Sequence, residues 1–181
     1  GNNYIDRIVV VGNHQVQAKA VTASANGVSK VYDGNTAVTN GTLGVAGAES
    51  GDKLNISGIG SYTAKNAGTT GYTYANLVLG GADAGNYYLG GGNSLSGSNG
   101  VISAKTLTAS YTASDKVYDR SDAATVLGIA NGLVAGDTVS LNKTSAAFDN
   151  KNVGENKTVT VSGIALDGAD KNNYVLSSNT A

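Results

Sequence analysis

The chain has 181 residues, a formal net charge of −1 and only 14% charged side chains, so it offers no basic surface for nucleic acid. It has no cysteine, which excludes disulfides, thiol chemistry and thiolate metal sites. Hydrophobic residues make up 40% of the chain, but its aromatic complement is one Phe and ten Tyr, with no Trp, and it has no Met. That composition escapes disorder yet supports only modest cores, with tyrosine in half-buried positions.

Proline is absent, so the 26 glycines must make most of the turns. Helix formers are sparse, and short alternating or β-branched runs bounded by Gly and Asn predict strands instead. In chain order these are Ile8–Val11, Val16–Ala23, Ser29–Tyr32, Lys53–Ile59, Tyr72–Leu79 and Val101–Ala109. They continue with Lys116–Tyr118, Thr138–Leu141, Thr158–Leu166 and Tyr174–Leu176. Single helical turns are expected at Ala46–Gly51 and Gly132–Gly136, and a surface loop at Gly90–Gly100. The run Ile5–Gly12 is too short to span a bilayer. With no signal-peptide pattern, the chain reads as a segment of a longer exported protein.

The chain repeats itself. Lys30-Val-Tyr32-Asp33-Gly34 returns as Lys116-Val-Tyr118-Asp119-Arg120. Tyr62-Thr-Ala-Lys65-Asn66-Ala-Gly68 returns as Phe148-Asp-Asn-Lys151-Asn152-Val-Gly154, and Gly81-Ala-Asp83…Asn86-Tyr87 as Gly168-Ala-Asp170…Asn173-Tyr174. Matches in the same order over this length indicate tandem whole domains rather than solenoid coils. The expected division is 1–18 as the tail of a preceding copy, 19–104 as a complete copy and 105–181 as a copy lacking its last strand. Gly1-Asn2-Asn3-Tyr4 supports that phase by resembling Asn172-Asn173-Tyr174. Val16–Thr22 and Ile102–Thr108 are expected as junction strands with no flexible linker, which favours stiff docking. The fold expected for each copy is a small antiparallel β-sandwich, Ig-like, of about seven strands. A β-grasp-like unit is the alternative if Ala46–Gly51 is helical.

The three spaced motifs at 30–34, 65–68 and 81–87, each present twice, resemble the YDG repeat. The resemblance implies large exported bacterial proteins, including filamentous-haemagglutinin-like adhesins of the two-partner route, in which such repeats look like stalks or spacers. It implies no catalytic residues and no cofactor. Arg120 departs from the motif glycine, and it is strained if that position needs a positive φ.

The motif residues are Lys30, Tyr32, Asp33, Lys65, Asn66, Asn86 and Tyr87, with Lys116, Tyr118, Asp119, Lys151, Asn152, Asn173 and Tyr174. Around Asp33 and Asp119 the simplest reading is an Asx-turn at a strand end with Tyr packed inward. A calcium loop would draw on Asp33 and Asn35, or Asp119 and Asp122. The recurring lysines, with recurring acids and amides such as Asp52/Asp137 and Asn66/Asn152, also admit an intramolecular cross-link of Lys to Asn or Asp, although buried stems with solvated heads explain them more simply. Asn86-Tyr87 and Asn173-Tyr174 predict tight turns in which Tyr pins a corner through its hydroxyl. His14 is the only histidine, which argues against a Ser-His-Asp device, and no enzyme is expected.

The function expected is therefore a non-catalytic stalk or spacer at a bacterial surface or in the extracellular medium. Its partners are neighbouring repeats, other copies of itself, or a host or matrix glycan or protein. Nucleic acid binding and membrane insertion are not expected. A second reading is a filament or matrix subunit, with the strand near Arg7–Ala18 completing the open copy of the next protomer. A third is a glycan-binding module using exposed Tyr72, Tyr74, Tyr87 and Tyr88.

Overall fold

A computed structural model describes residues 7–178 and is all-β, with two short 3₁₀ turns at Ala84–Asn86 and Lys171–Asn173. The proposed equivalence of Asn3-Tyr4 with Asn173-Tyr174 lies outside the described residues. The strands are β1 (Lys19–Asn26), β2 (Ser29–Val31), β3 (Thr42–Ala46), β4 (Asn55–Tyr62), β5 (Gly68–Gly80), β6 (Tyr87–Leu89) and β7 (Leu95–Ser103). They continue as β8 (Lys105–Ala113), β9 (Val126–Asn131), β10 (Ser140–Asn142), β11 (Ser145–Phe148), β12 (Val159–Ser162), β13 (Ala165–Asp167) and β14 (Tyr174–Leu176).

The first copy packs two sheets, ordered β3-β1-β6 and β2-β7-β5-β4. Alternation along each strand turns one face inward, as in β4, where every second residue is more buried than its neighbours. The smaller sheet contributes Ala23, Ala25, Leu43 and Leu89, and the larger contributes Tyr62, Tyr72, Tyr74 and Leu77. Small side chains on one face thus leave room for tyrosine rings on the other. Tyr72 and Tyr74 meet edge to face, with centroids 6.0 Å apart. Glycine on the adjoining strand completes the fit, since a Cβ on Gly97 would lie 2.3 Å from Tyr72 Cζ.

A sandwich-like, all-β architecture therefore agrees with the sequence, while several sheets are mixed rather than purely antiparallel. β1 runs parallel to β6, β2 to β7 and β8 to β14. The β-grasp alternative lacks its helix, because Gly47 and Gly51 hold φ of 94° and 99° and bend 46–51 into a turn. Gly132 and Gly136 do the same in the second copy, at 97° and 92°. Part of the expected loop Gly90–Gly100 is the start of β7, which begins at Leu95. β3, β6, β9 and β11 lie outside the expected strands; in β3 and β9 glycine interrupts the apolar pattern at Gly44 and Gly128.

The second copy repeats the plan with sheet β14-β8-β9. Its counterpart of the β4–β5 ladder is divided into β10–β13 and β11–β12. The break falls at an irregularity shared by both copies: β4 and β5 slip register between Ser57 and Ile59, and Asn76 and Gly163 have φ of 53° and 66°. Two expected strands do not form. β2 exists through parallel pairing of Ser29, Lys30 and Val31 with Val101, Ile102 and Ser103. Lys116–Tyr118 has no such neighbour among the described residues, and it stays outside any ladder. Ile8–Val11 is likewise unpaired, and the strand expected from Val16 begins at Lys19.

Gly34 and Arg120 both have positive φ, 81° and 68°. The motif position therefore demands a left-handed residue, and arginine is strained there. Arg120→Gly is expected to raise stability by about 0.5–1 kcal/mol. Gly34→Ala is expected to lower it, because its Cβ would also lie 2.8 Å from Val134 Cγ1. Melting temperatures of dilute samples check both signs.

Candidate functional site

The first motif folds around a lysine ammonium. Lys30 lies on β2 with its side chain 3% exposed. Its Nζ donates to Asp33 Oδ1 at 2.7 Å, Asn35 O at 2.8 Å and Asn35 Oδ1 at 3.0 Å. The same side chains cap the turn, as Asp33 Oδ1 accepts from Asn35 N–H at 3.1 Å and Asn35 Oδ1 from Ala37 N–H at 2.9 Å. The cation that organises this loop is thus the lysine itself, stacked 5.4 Å from the Tyr62 ring centroid. Partial burial pushes the Asp33 carboxyl up, but the bonds from Lys30 and the Asn35 N–H outweigh it and hold it below the usual 3.8.

The second copy builds the same loop closer to solvent. Lys116 Nζ donates to Asp119 Oδ1 at 3.0 Å, Ser121 O at 2.8 Å and Ala123 O at 3.0 Å, with Phe148 in the place of Tyr62 at 5.8 Å. The Lys116 bond and the Ser121 N–H hold the Asp119 carboxyl below its ordinary value. Among the described residues no group of three or more His, Cys, Asp or Glu is placed to hold a metal ion.

The third motif is a corner. Asp83 Oδ2 accepts from Lys53 N–H at 2.7 Å and Asp170 Oδ2 from Thr138 N–H at 2.8 Å. The preceding glycines, Gly81 and Gly168, are required by close approach: a Cβ would lie 2.2 Å from Lys53 O and 2.4 Å from Thr138 O. Tyr87 OH accepts from Glu49 N–H at 3.0 Å and donates to Asp52. Tyr174 OH accepts from Val134 N–H at 3.0 Å and donates to Asp137 Oδ2 at 2.5 Å. The tyrosines pin their corners as expected from the sequence.

The two motifs meet where the copies join. Tyr32, 1% exposed, reaches across to donate its hydroxyl to Asp137 Oδ2 at 2.9 Å. Its ring stands edge-on to Tyr174, with centroids 5.4 Å apart at 79°. Buried Asn173 accepts from Ala67 N–H of the first copy at 2.9 Å. Leu107, Tyr174, Leu133, Val134 and Leu176 of the second copy share one apolar cluster with Tyr32, Tyr62 and Ile102 of the first. Only Ala104 separates β7 from β8. Burial and the Asp137 acceptor push the hydroxyls of Tyr32 and Tyr174 above the usual 10.0.

Lys65, Asn66, Lys151 and Asn152 stay on exposed loops, where Asn152 N–H donates to Asn150 Oδ1 at 3.0 Å. Asn86 is exposed, and Tyr118 is 52% exposed where its equivalent Tyr32 is buried. Tyr72, Tyr74 and Tyr87 are buried rather than exposed, which removes three of the four rings the glycan reading relied on; of the four, Tyr88 alone faces solvent. Asp52 and Asp137, whose recurrence the sequence offers only as possible partners of a lysine cross-link, serve instead as the acceptors of the corner tyrosine hydroxyls.

A family model described as the YDG domain matches residues 17–95 and again 103–181. No curated protein matches the chain. No solved structure matches it either.

Tyr32→Phe removes one bond and is expected to cost about 1 kcal/mol, whereas Tyr32→Ala opens the junction core and costs about 3–5 kcal/mol. Chemical denaturation of the two variants measures the difference. Because the folded values of Tyr32 and Tyr174 lie above the unfolded 10.0, their contribution is complete at neutral pH and is lost as pH rises through those folded values. Phenolate absorbance should then appear together with loss of β-structure. Asp33 has the opposite sign: its contribution holds above 3.8 and fades as pH falls through its lowered folded value. Lys30→Met is expected to cost about 2 kcal/mol, and Lys116→Met less, since Lys116 is more exposed.

Proposed function

The chain belongs to the YDG domain family, with two copies in tandem, and from that premise we propose that it is a non-catalytic stalk or spacer of a bacterial exported or surface protein. The observation that carries the reading is the junction. Neighbouring copies share one apolar cluster and a tyrosine–carboxylate–tyrosine bridge, with a single residue between β7 and β8. Such a joint resists bending, because a hinge would expose the rings of Tyr32 and Tyr174 and part the Tyr32 hydroxyl from its acceptor. Stiff tandem modules extend a binding tip from a surface and transmit load along their shared strands. The absence of cysteine makes that stiffness independent of redox conditions. Adhesins of the two-partner route are the parent class this reading favours, with their ligand carried elsewhere on the parent.

Small-angle scattering and calorimetry test the reading together. A rigid two-lobed particle that melts in one transition is expected, and Tyr32→Ala should split the transition or bend the particle. Two independent transitions in the unsubstituted chain, with a flexible scattering profile, would overturn the spacer reading.

A further inference from the structure

Tension along the chain reaches the first copy through β1 and leaves it through β7. Each is an interior strand of its sheet, β1 between β3 and β6 and β7 between β2 and β5. The whole of β1 is paired, Lys19–Val21 with β6 and Thr22–Asn26 with β3. β7 is paired with β5 along its length and with β2 at Val101, Ile102 and Ser103. Only Ala104 separates β7 from β8, which is again interior, between β14 and β9. Tension therefore passes from the first copy to the second with no slack segment between them.

The direction of β2 decides how that tension is carried. β1 passes into β2 through Gly27 and buried Val28 alone, and β2 runs parallel to β7. A pull toward the start of the chain and a pull toward its end thus draw β2 and β7 in opposite directions along one axis. Their bonds lie across that axis. Val101 N–H donates to Val28 O at 3.0 Å and Tyr32 N–H to Ser103 O at 2.8 Å, at the two ends of the pair. Loaded in shear, such bonds share the force and must break together, whereas a pull across the strands opens them one after another. Side chains add to the resistance. Sliding β2 toward its start would draw Lys30 off the Tyr62 ring and the Tyr32 hydroxyl off Asp137 of the second copy.

We infer that the parallel pair β2–β7 is a mechanical clamp, which makes the first copy resist tension along the chain far more than tension across it. The device deepens the spacer reading and rests on it for its use, because a stalk is pulled along its length. It also goes beyond stiffness, since a joint that resists bending need not resist extension. Forced unfolding is governed by the rate of unfolding, so a melting temperature does not report the clamp.

Single-molecule pulling on residues 1–181 tests the clamp. The chain has no cysteine, so engineered cysteines provide the only thiol handles. Gln17→Cys with Ser103→Cys applies force along β2 and β7. Ser29→Cys with Thr69→Cys applies it across them, because these residues flank Val101 on its two sides. All four positions are exposed, and the second copy lies outside both pairs of handles. The lengthwise pull is expected to give one event that releases about 300 Å of chain. Its force should be roughly three-fold that of the first event in the crosswise pull, because the bonds then share the load. Equal forces in the two directions, or a weaker lengthwise pull, would overturn the clamp and leave the scattering and calorimetric test of the spacer reading standing. A chain that is flexible in scattering yet keeps the difference in force would retain the clamp and lose the spacer reading.

Discussion

One carboxylate organises the molecule's centre. Asp137 Oδ2 accepts the hydroxyl of Tyr174 from its own copy and that of Tyr32 from the other. The first bond fixes the turn 134–137, and the second fixes the neighbour against it. Tyrosine is the residue this requires, since its ring supplies buried apolar area and its tip a directed donor. A leucine would fill the space without choosing an orientation. A chain with no tryptophan and no methionine has assigned tyrosine most of its large-side-chain packing, and the position of each hydroxyl sets the register between copies.

The lysine loops solve a related problem at the strand ends. A tight connection that must turn sharply after β2 leaves several carbonyls and N–H groups without ladder partners. Lys30 gathers the acceptors on its three hydrogens, and Asp33 and Asn35 collect the donors. An ammonium can do this while its stem packs against Tyr62. In a chain of low charge density, pairing each such cation locally leaves little net field to disturb the apolar joint nearby.

The two copies act as controls for each other. The residues that differ in environment, Tyr32 against Tyr118 and Ile102 against Val16, are those whose neighbours differ, while their local motifs are alike. Motif geometry is thus intrinsic to each repeat, and burial is conferred by the adjoining one. The glycine at Gly34 belongs to both levels: its positive φ is local, and its lack of a Cβ admits Val134 from the next copy. Arg120 keeps the first property and forgoes the second.

The sequence by itself determined the repeat, the all-β class, the turn chemistry of Asp33 and Asp119 and the corner tyrosines, because these rest on short-range rules of dihedral preference and local hydrogen bonding. It singled out Arg120 as a departure from its motif, and the positive φ that makes it strained came from the structure. Only the tertiary structure decided which tyrosines are buried, that β2 is a strand while Lys116–Tyr118 is not, that parallel pairs join β1 to β6, β2 to β7 and β8 to β14, and that Asp137 joins the copies. Those outcomes depend on partners distant in the chain. Strand pairing, side-chain burial and the choice of a hydroxyl's acceptor are all properties of the neighbour as much as of the residue.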